Sequence, residues 1–255
     1  MVVNHVPIHR KIKRMWQHGA FIGIVTMVSS VLTGCLYPEE RLAQNQVPSS
    51  YYLEASQKAI EQYQADTGVL PIVTKPLETP IFEKYEVDFR MLMPKYVPDV
   101  PANAFEKGGI YKYVLVDVET KPLVRLINLA AVSKVADVQT AVNRYVSNYG
   151  KLPVEKDIGN GYFTISGKAI GVQDVQVNSS ITNQWLPLIM NERGEVGIDY
   201  AADIATTLRN NPKLQVPAKT DPRYVLARES MFVPIKSFPY EMINGEPHLL
   251  PVQYE

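Results

Sequence analysis

Apolar positions follow three patterns along the chain. Near the N-terminus they are continuous: residues 20–30 form an apolar stretch, preceded by Arg10, Lys11, Lys13 and Arg14 and by no acid. Farther on they recur at helical spacing. Val135, Val138, Val142, Tyr145, Val146 and Tyr149 share one helix face, and Ser133 is a candidate cap for its start. Leu53, Ile60 and Tyr63 mark an earlier helix after Ser49-Ser50. Gly68 and Gly150 stand where such helices need a left-handed residue to end. Leu-Pro follows each glycine and turns the chain away, because proline cannot continue a helix.

The third pattern is short and strand-like. Residues 111–118 and 123–127 predict a hairpin around Glu119-Thr120-Lys121-Pro122, and residues 186–190 and 196–200 a second one around residues 191–195. A single strand is expected ahead of each hairpin, at residues 85–92 and 162–165. Beyond them, residues 201–211 predict a short helix ended by Pro212. Asp221-Pro222 opens another, to about Ser230. Residues 232–235 and the segment from Glu241, with Asn244-Gly245 as its turn, read as terminal strands that pack back on the body.

The two helix-plus-hairpin segments repeat in sequence. Ala59, Tyr63, Gly68, Leu70 and Pro71 match Ala141, Tyr145, Gly150, Leu152 and Pro153 at one offset, without a gap. One helix on about three strands has little core, so two such repeats are expected to share one. The fold class expected is α+β: two tandem helix-plus-small-antiparallel-sheet repeats, 51–128 and 129–200, followed by a C-terminal short helix and β-hairpin in 201–255. Residues 1–34 read as an export signal and 35–50 as a tether.

The leader's end carries chemistry. Leu32-Thr33-Gly34-Cys35 resembles the bacterial lipobox, in which the chain is cut between Gly34 and Cys35 and the cysteine thiol takes a diacylglyceryl group. The apolar stretch before it suits a signal peptide and falls short of the roughly 20 residues that cross a bilayer. Cys35 is the one cysteine of the 255-residue chain, so no internal disulfide can form. Lipid on Cys35 is the sole covalent group expected, with no cofactor or metal. The expected location is the outer face of a Gram-positive cell membrane, held by that lipid.

Charge and composition narrow the rest. The 26 basic residues, less the four in the leader, leave 22 against 26 acids, a mildly acidic body without a basic cluster. That excludes a nucleic-acid partner on electrostatic grounds. Of the four histidines, His5, His9 and His18 lie in the leader and only His248 beyond it, which disfavours multi-histidine metal sites. Asp117, Glu119, Glu192, Glu195 and Asp199 lie at hairpin ends, where oxygen ligands could hold calcium, but they do not repeat at equivalent spacing. Asn178-Ser179-Ser180 lacks a nucleophile elbow, and Gly159-Asn160-Gly161 reads as a turn. Glu39-Glu40-Arg41 reads as solvated tether. Tyr51, Tyr52, Tyr63, Tyr145 and Tyr149 are expected to be core residues with hydroxyls at the rim. No catalytic residue is identified.

Two resemblances follow from these motifs. A helix with Tyr five residues before Gly, then Leu-Pro and a hairpin, resembles the head domains of bacterial type II secretion pseudopilins and type IV pilins. It departs from them in its leader, which ends in a lipobox rather than a long uncleaved helix. Residues 35–41 and 43–46, Asn103-Ala104-Phe105-Glu106, Gly108-Gly109, residues 113–120 and Phe232-Val233-Pro234 resemble a family of uncharacterised lipoproteins of bacilli, some labelled ABC transporter periplasmic binding protein. That resemblance implies a lipid-anchored surface protein and assigns no catalytic residues. The expected function is a non-enzymatic binding or assembly module at the outer membrane face, its protein partner or small ligand unidentified. The alternatives are a solute-binding lipoprotein of an ABC importer and a pseudopilin-like accessory of a secretion or surface system.

Overall fold

The computed structural model describes residues 48–252. The export signal, Gly34, Cys35, Glu39-Glu40-Arg41 and the tether up to residue 47 lie outside the described residues.

The first repeat opens with α1, Ser49–Thr67, which buries Leu53, Ser56, Ala59, Ile60 and Tyr63. The helix therefore begins inside the segment read as tether. Gly68 ends it at φ 75°, and its N–H reaches the Gln64 carbonyl. Two single-turn helices follow, α2 (Ile81–Lys84) and α3 (Phe89–Leu92). Then comes the hairpin of β1, Tyr111–Val116, and β2, Leu123–Asn128, antiparallel with Tyr111 opposite Asn128. The strand expected over 85–92 is only partly formed. Tyr85 and Val87 hydrogen-bond to β1, with Leu115 N–H donating to Tyr85 and Val87 N–H to Tyr113. The Asp88 side chain then accepts the Arg90 N–H and starts a helical turn instead.

The second repeat opens with α4, Leu129–Tyr149, and Gly150 ends it at φ 65°. The helix starts four residues ahead of Ser133, because the Asn128 side chain accepts the Ala130 N–H at 2.9 Å and is the true cap. Its sheet comprises β3 (Val154–Gly159), β4 (Tyr162–Ile165), β5 (Gln176–Asn178), β6 (Trp185–Asn191) and β7 (Val196–Ile198), paired antiparallel, with α5 (Gly167–Ile170) between β4 and β5. β3 was not expected: it is exposed along its length, so no buried face marks it in the sequence.

The sequence repeat is also a repeat of hydrogen bonds. The Pro71 carbonyl accepts the N–H of Asp88 and the Pro153 carbonyl that of Ser166, each at 2.8 Å. Asp88 and Ser166 in turn precede α3 and α5. Leu-Pro thus brings the chain off each helix into the same pairing.

Past Ile198 come α6 (Ala201–Asn210), α7 (Arg223–Glu229) and the terminal hairpin of β8 (Tyr240–Ile243) and β9 (Glu246–Leu249). Asn244 and Gly245, at φ 52° and 84°, make its turn. Residues 232–235, expected as a strand, belong instead to a strap, residues 231–237, that runs across both sheets. Leu126 N–H donates to Met231 and Val233 N–H to Leu126, and Ile198 N–H then donates to Lys236. The strap passes so close that a Cβ on Gly197 would stand 2.9 Å from the Lys236 carbonyl oxygen, and 2.6 Å from the ring of Phe238 just beyond it.

The fold is α+β, with two hydrophobic clusters on either side of the β1–β2 hairpin. Tyr113, Leu115, Val124 and Leu126 pack in the cluster of α1, whereas Val114, Val116 and Ile127 belong to the cluster of α4, β6 and β7. The hairpin is a wall buried on both faces, which is why its strands lack an apolar–polar alternation.

Candidate functional site

A cleft opens where the β1–β2 turn meets α2 and α7. Its walls are Ile81, Phe82, Tyr85, Val116, Val118 and Tyr224, and its volume is about 310 Å³. The Phe82 and Tyr224 rings lie 5.3 Å apart at its back. The rim is polar: Asp117, Glu119, Thr120, Thr220 and Arg228. Asp117 leaves β1 at φ 55°, and its carbonyl accepts the Thr120 N–H, which folds the turn over the opening.

Two arginines fix the hairpin to α7. Arg228 donates to both oxygens of Asp117, at 2.6 and 2.9 Å. That hydrogen-bonded pair raises the proton affinity of the guanidinium. Arg125, on β2, donates in the other direction to the carbonyls of Ala227 and Arg228 at the C-terminus of α7. A cation there satisfies carbonyls that the helix leaves free and matches its dipole. Burial lowers the Arg125 pKa from its usual value, with Asp117 and Glu229 opposing.

A second pocket of about 450 Å³ adjoins the first across α2, sharing Ile81 and Phe82. It is lined with charge: Glu83, Glu195, Arg223 and Lys236. Lys236 pairs with Glu83 at 3.0 Å and Arg223 with Asp221 at 2.7 Å. The Arg223 guanidinium also sits 5.3 Å from the Phe82 ring. Phe82 is therefore the partition between an apolar pocket and an ionic one.

The structure separates the acids considered for calcium. Asp117 and Glu119 are at the first cleft, and Glu195 lines the second, where its carboxylate takes the Asn191 amide and Arg193. Asp199 caps the start of α6 through the Ala201 N–H and accepts the Tyr240 hydroxyl. Glu192 lies in the β6–β7 turn, its N–H on the Gly161 carbonyl. Among the described residues no group of three or more His, Cys, Asp or Glu is arranged to hold a metal ion.

His248 is exposed on β9, opposite Glu241. The tyrosines divide. Tyr63 is buried and Tyr52 and Tyr145 are half-buried, but Tyr51 and Tyr149 are each 64% exposed, which corrects the core assignment for those two. Both sit at helix ends, where a helix outruns the surface it packs on.

Ser179 proves structural. It donates to Asp203, as does Thr182, and its oxygen accepts the Ile181 and Thr182 N–H groups. Asp203 is fully buried on α6, and burial raises its pKa against those two hydroxyl bonds. Sequence reasoning missed Asp203 and Arg125. Each carried a signal: a charge set directly among apolar neighbours of a predicted helix or strand.

Among the described residues no helix is long and apolar enough to cross a membrane. No curated protein and no solved structure matches the chain. Residues 49–128, from the first residue of α1 to the last of β2, match the YphF family N-terminal domain, which fits an uncharacterised bacterial family.

Proposed function

We propose that this chain is a lipid-anchored, non-enzymatic binding module at the outer face of a bacterial membrane, and that it takes an extended polypeptide segment along α2. The observation that carries the binding reading is the pair of pockets meeting at Phe82. An apolar side chain fits the first pocket, and neighbouring polar or charged groups of the same segment meet Glu83, Arg223 and Lys236 in the second. A single small solute would use one pocket and leave the other idle. The anchoring reading rests on Leu32-Thr33-Gly34-Cys35 behind a basic and then apolar leader, and on the resemblance to lipoproteins of bacilli.

The antiparallel pairing of the named strands argues for this reading over an importer's solute-binding subunit, which is usually two lobes of strand–helix–strand units. A pseudopilin-like accessory remains the second reading, favoured by the helix–glycine–Leu-Pro–sheet unit seen twice.

Photo-crosslinking in intact cells tests the cleft. A benzophenone side chain at Thr120 or Thr220 should give a discrete adduct, one at Leu77 should not, and Val118→Trp should abolish it by filling the pocket. Equal adducts at all three positions, or adducts insensitive to Val118→Trp, would contradict the assignment.

A further inference from the structure

The end of the body where the chain enters carries exposed apolar side chains that the fold does not use. Tyr51, in the first turn of α1, is 64% exposed, Phe105 is 56% exposed and Ile110 is 48% exposed. They are far apart in sequence and are gathered by polar contacts around the buried Asn103. The Asn103 amide donates to the Ser49 hydroxyl at 3.2 Å, tying the loop before Phe105 to the start of α1. The Tyr113 hydroxyl donates to the same Asn103 side chain at 2.6 Å. Gly109 lies against Asn103 so closely that a Cβ would stand 2.1 Å from its carbonyl oxygen, which sets Ile110 beside the same loop. Tyr52 and Glu106, the neighbours of Tyr51 and Phe105, both act electrostatically on the Tyr113 phenol, whose proton burial holds most strongly. The side chains around Asn103 thus bring the three exposed residues to one end of the molecule. The Lys112 ammonium lies 5.8 Å from the Phe105 ring and is paired with Glu86 at 2.7 Å.

Position along the chain says what covers this end. Residues 36–47 are all that separate Pro48 from Cys35, and fully extended they span at most about 45 Å. A diacylglyceryl group on Cys35 keeps the entry point within that distance of the bilayer. Tyrosine and phenylalanine suit the interface between headgroups and acyl chains, where the rings meet hydrocarbon and the phenol hydroxyl meets the headgroups.

We propose that Tyr51, Phe105 and Ile110 form a membrane-resting face that seats in the headgroup region of the bilayer holding the lipid of Cys35. The face orients the body as well as tethering it. This inference rests on the anchoring reading above, and its test keeps the two apart.

The full chain, expressed in a host that processes lipoproteins, is reconstituted in vesicles of phosphatidylglycerol and phosphatidylethanolamine. Its one cysteine is occupied by lipid, so Tyr51→Cys, Phe105→Cys and Ile110→Cys each carry a single nitroxide label. Leu77→Cys, beside α2, and Ile243→Cys, in the terminal hairpin, are the controls. Collision rates with oxygen and with a water-soluble nickel chelate report depth. The expected result is a severalfold higher oxygen-to-nickel ratio at 51, 105 and 110 than at 77 and 243. Equal, water-like ratios at all five positions in a chain that carries lipid would overturn the seated face and leave the anchor standing. Loss of access to both reagents at 51, 105 and 110 would place protein there and overturn it as well. A chain that takes no lipid at Cys35 would remove both readings together.

Discussion

Asp117 and Arg228, 111 positions apart, meet in a two-point ion pair at the mouth of the apolar cleft. The pair joins the turn of the first hairpin to the last turn of α7, so one contact both shapes the rim and ties the C-terminal segment to the first repeat. Arg125 reinforces the join from below, through the α7 carbonyls.

The two arginines should differ in weight. Arg228 is partly exposed, so a double-mutant cycle with Asp117 should give a coupling of about 0.5–1 kcal/mol. Arg125→Ala should cost more, about 2–3 kcal/mol, because it removes three charge-assisted bonds to carbonyls in a half-buried site. Urea midpoints of the single and double variants check both. An Arg125 variant no less stable than the Arg228 variant would show that the α7 cap is not made in solution.

The repeated tyrosines are equivalent in sequence and unequal in burial. Tyr63 packs within the α1 cluster and against the Tyr96 ring at 5.3 Å, whereas Tyr145 is half-buried and stacks on exposed Tyr149. Tyr63→Ala should cost about 3–5 kcal/mol. Tyr145→Ala should cost about 1–2 kcal/mol, since less area leaves water on folding. Equal shifts in the urea midpoint would show that the two repeats pack alike after all.

Asp203 predicts a pH dependence. Its pKa in the fold lies above the ordinary 3.8, burial outweighing the bonds from Ser179 and Thr182. The folded state therefore holds the proton more tightly than the unfolded chain. Its contribution is fully present below about pH 3.8 and is lost as pH rises through the raised value. Asp203→Asn has no such loss, so the stability difference, wild type minus variant, should fall as pH rises above 3.8. A difference that is flat or rises over that range would reverse the sign. Asp203→Ala should cost about 2–4 kcal/mol below about pH 3.8 and less as pH rises, since it strands the buried Ser179 hydroxyl and the half-buried Thr182 hydroxyl.

Much of the fold was legible because its signals are local. Gly68 and Gly150, each followed by Leu-Pro, located both helix ends, and Asn244-Gly245 located the terminal turn. What escaped was set by partners distant in sequence. The α4 cap is a strand-ending asparagine, Asn128, so the apolar face alone pointed five residues too late, to Ser133. β3 buries nothing and shows no alternation. Residues 232–235 look like an ordinary strand until the partners of the strap that contains them, Leu126 and Ile198, are known. The cleft escaped for the same reason: Ile81, Val118 and Tyr224 come from three separate segments, and no spacing joins them. Only its rim acids, Asp117 and Glu119, were singled out, and for calcium.

The central claim is that this binding module is held to the membrane by lipid on Cys35. Metabolic labelling with palmitate in cells tests it most directly, comparing the chain with its Cys35→Ala variant. The account predicts label in the parent chain, which is cut before Cys35, and an unlabelled, uncleaved variant. Label persisting in Cys35→Ala, or none entering the parent chain, would contradict it.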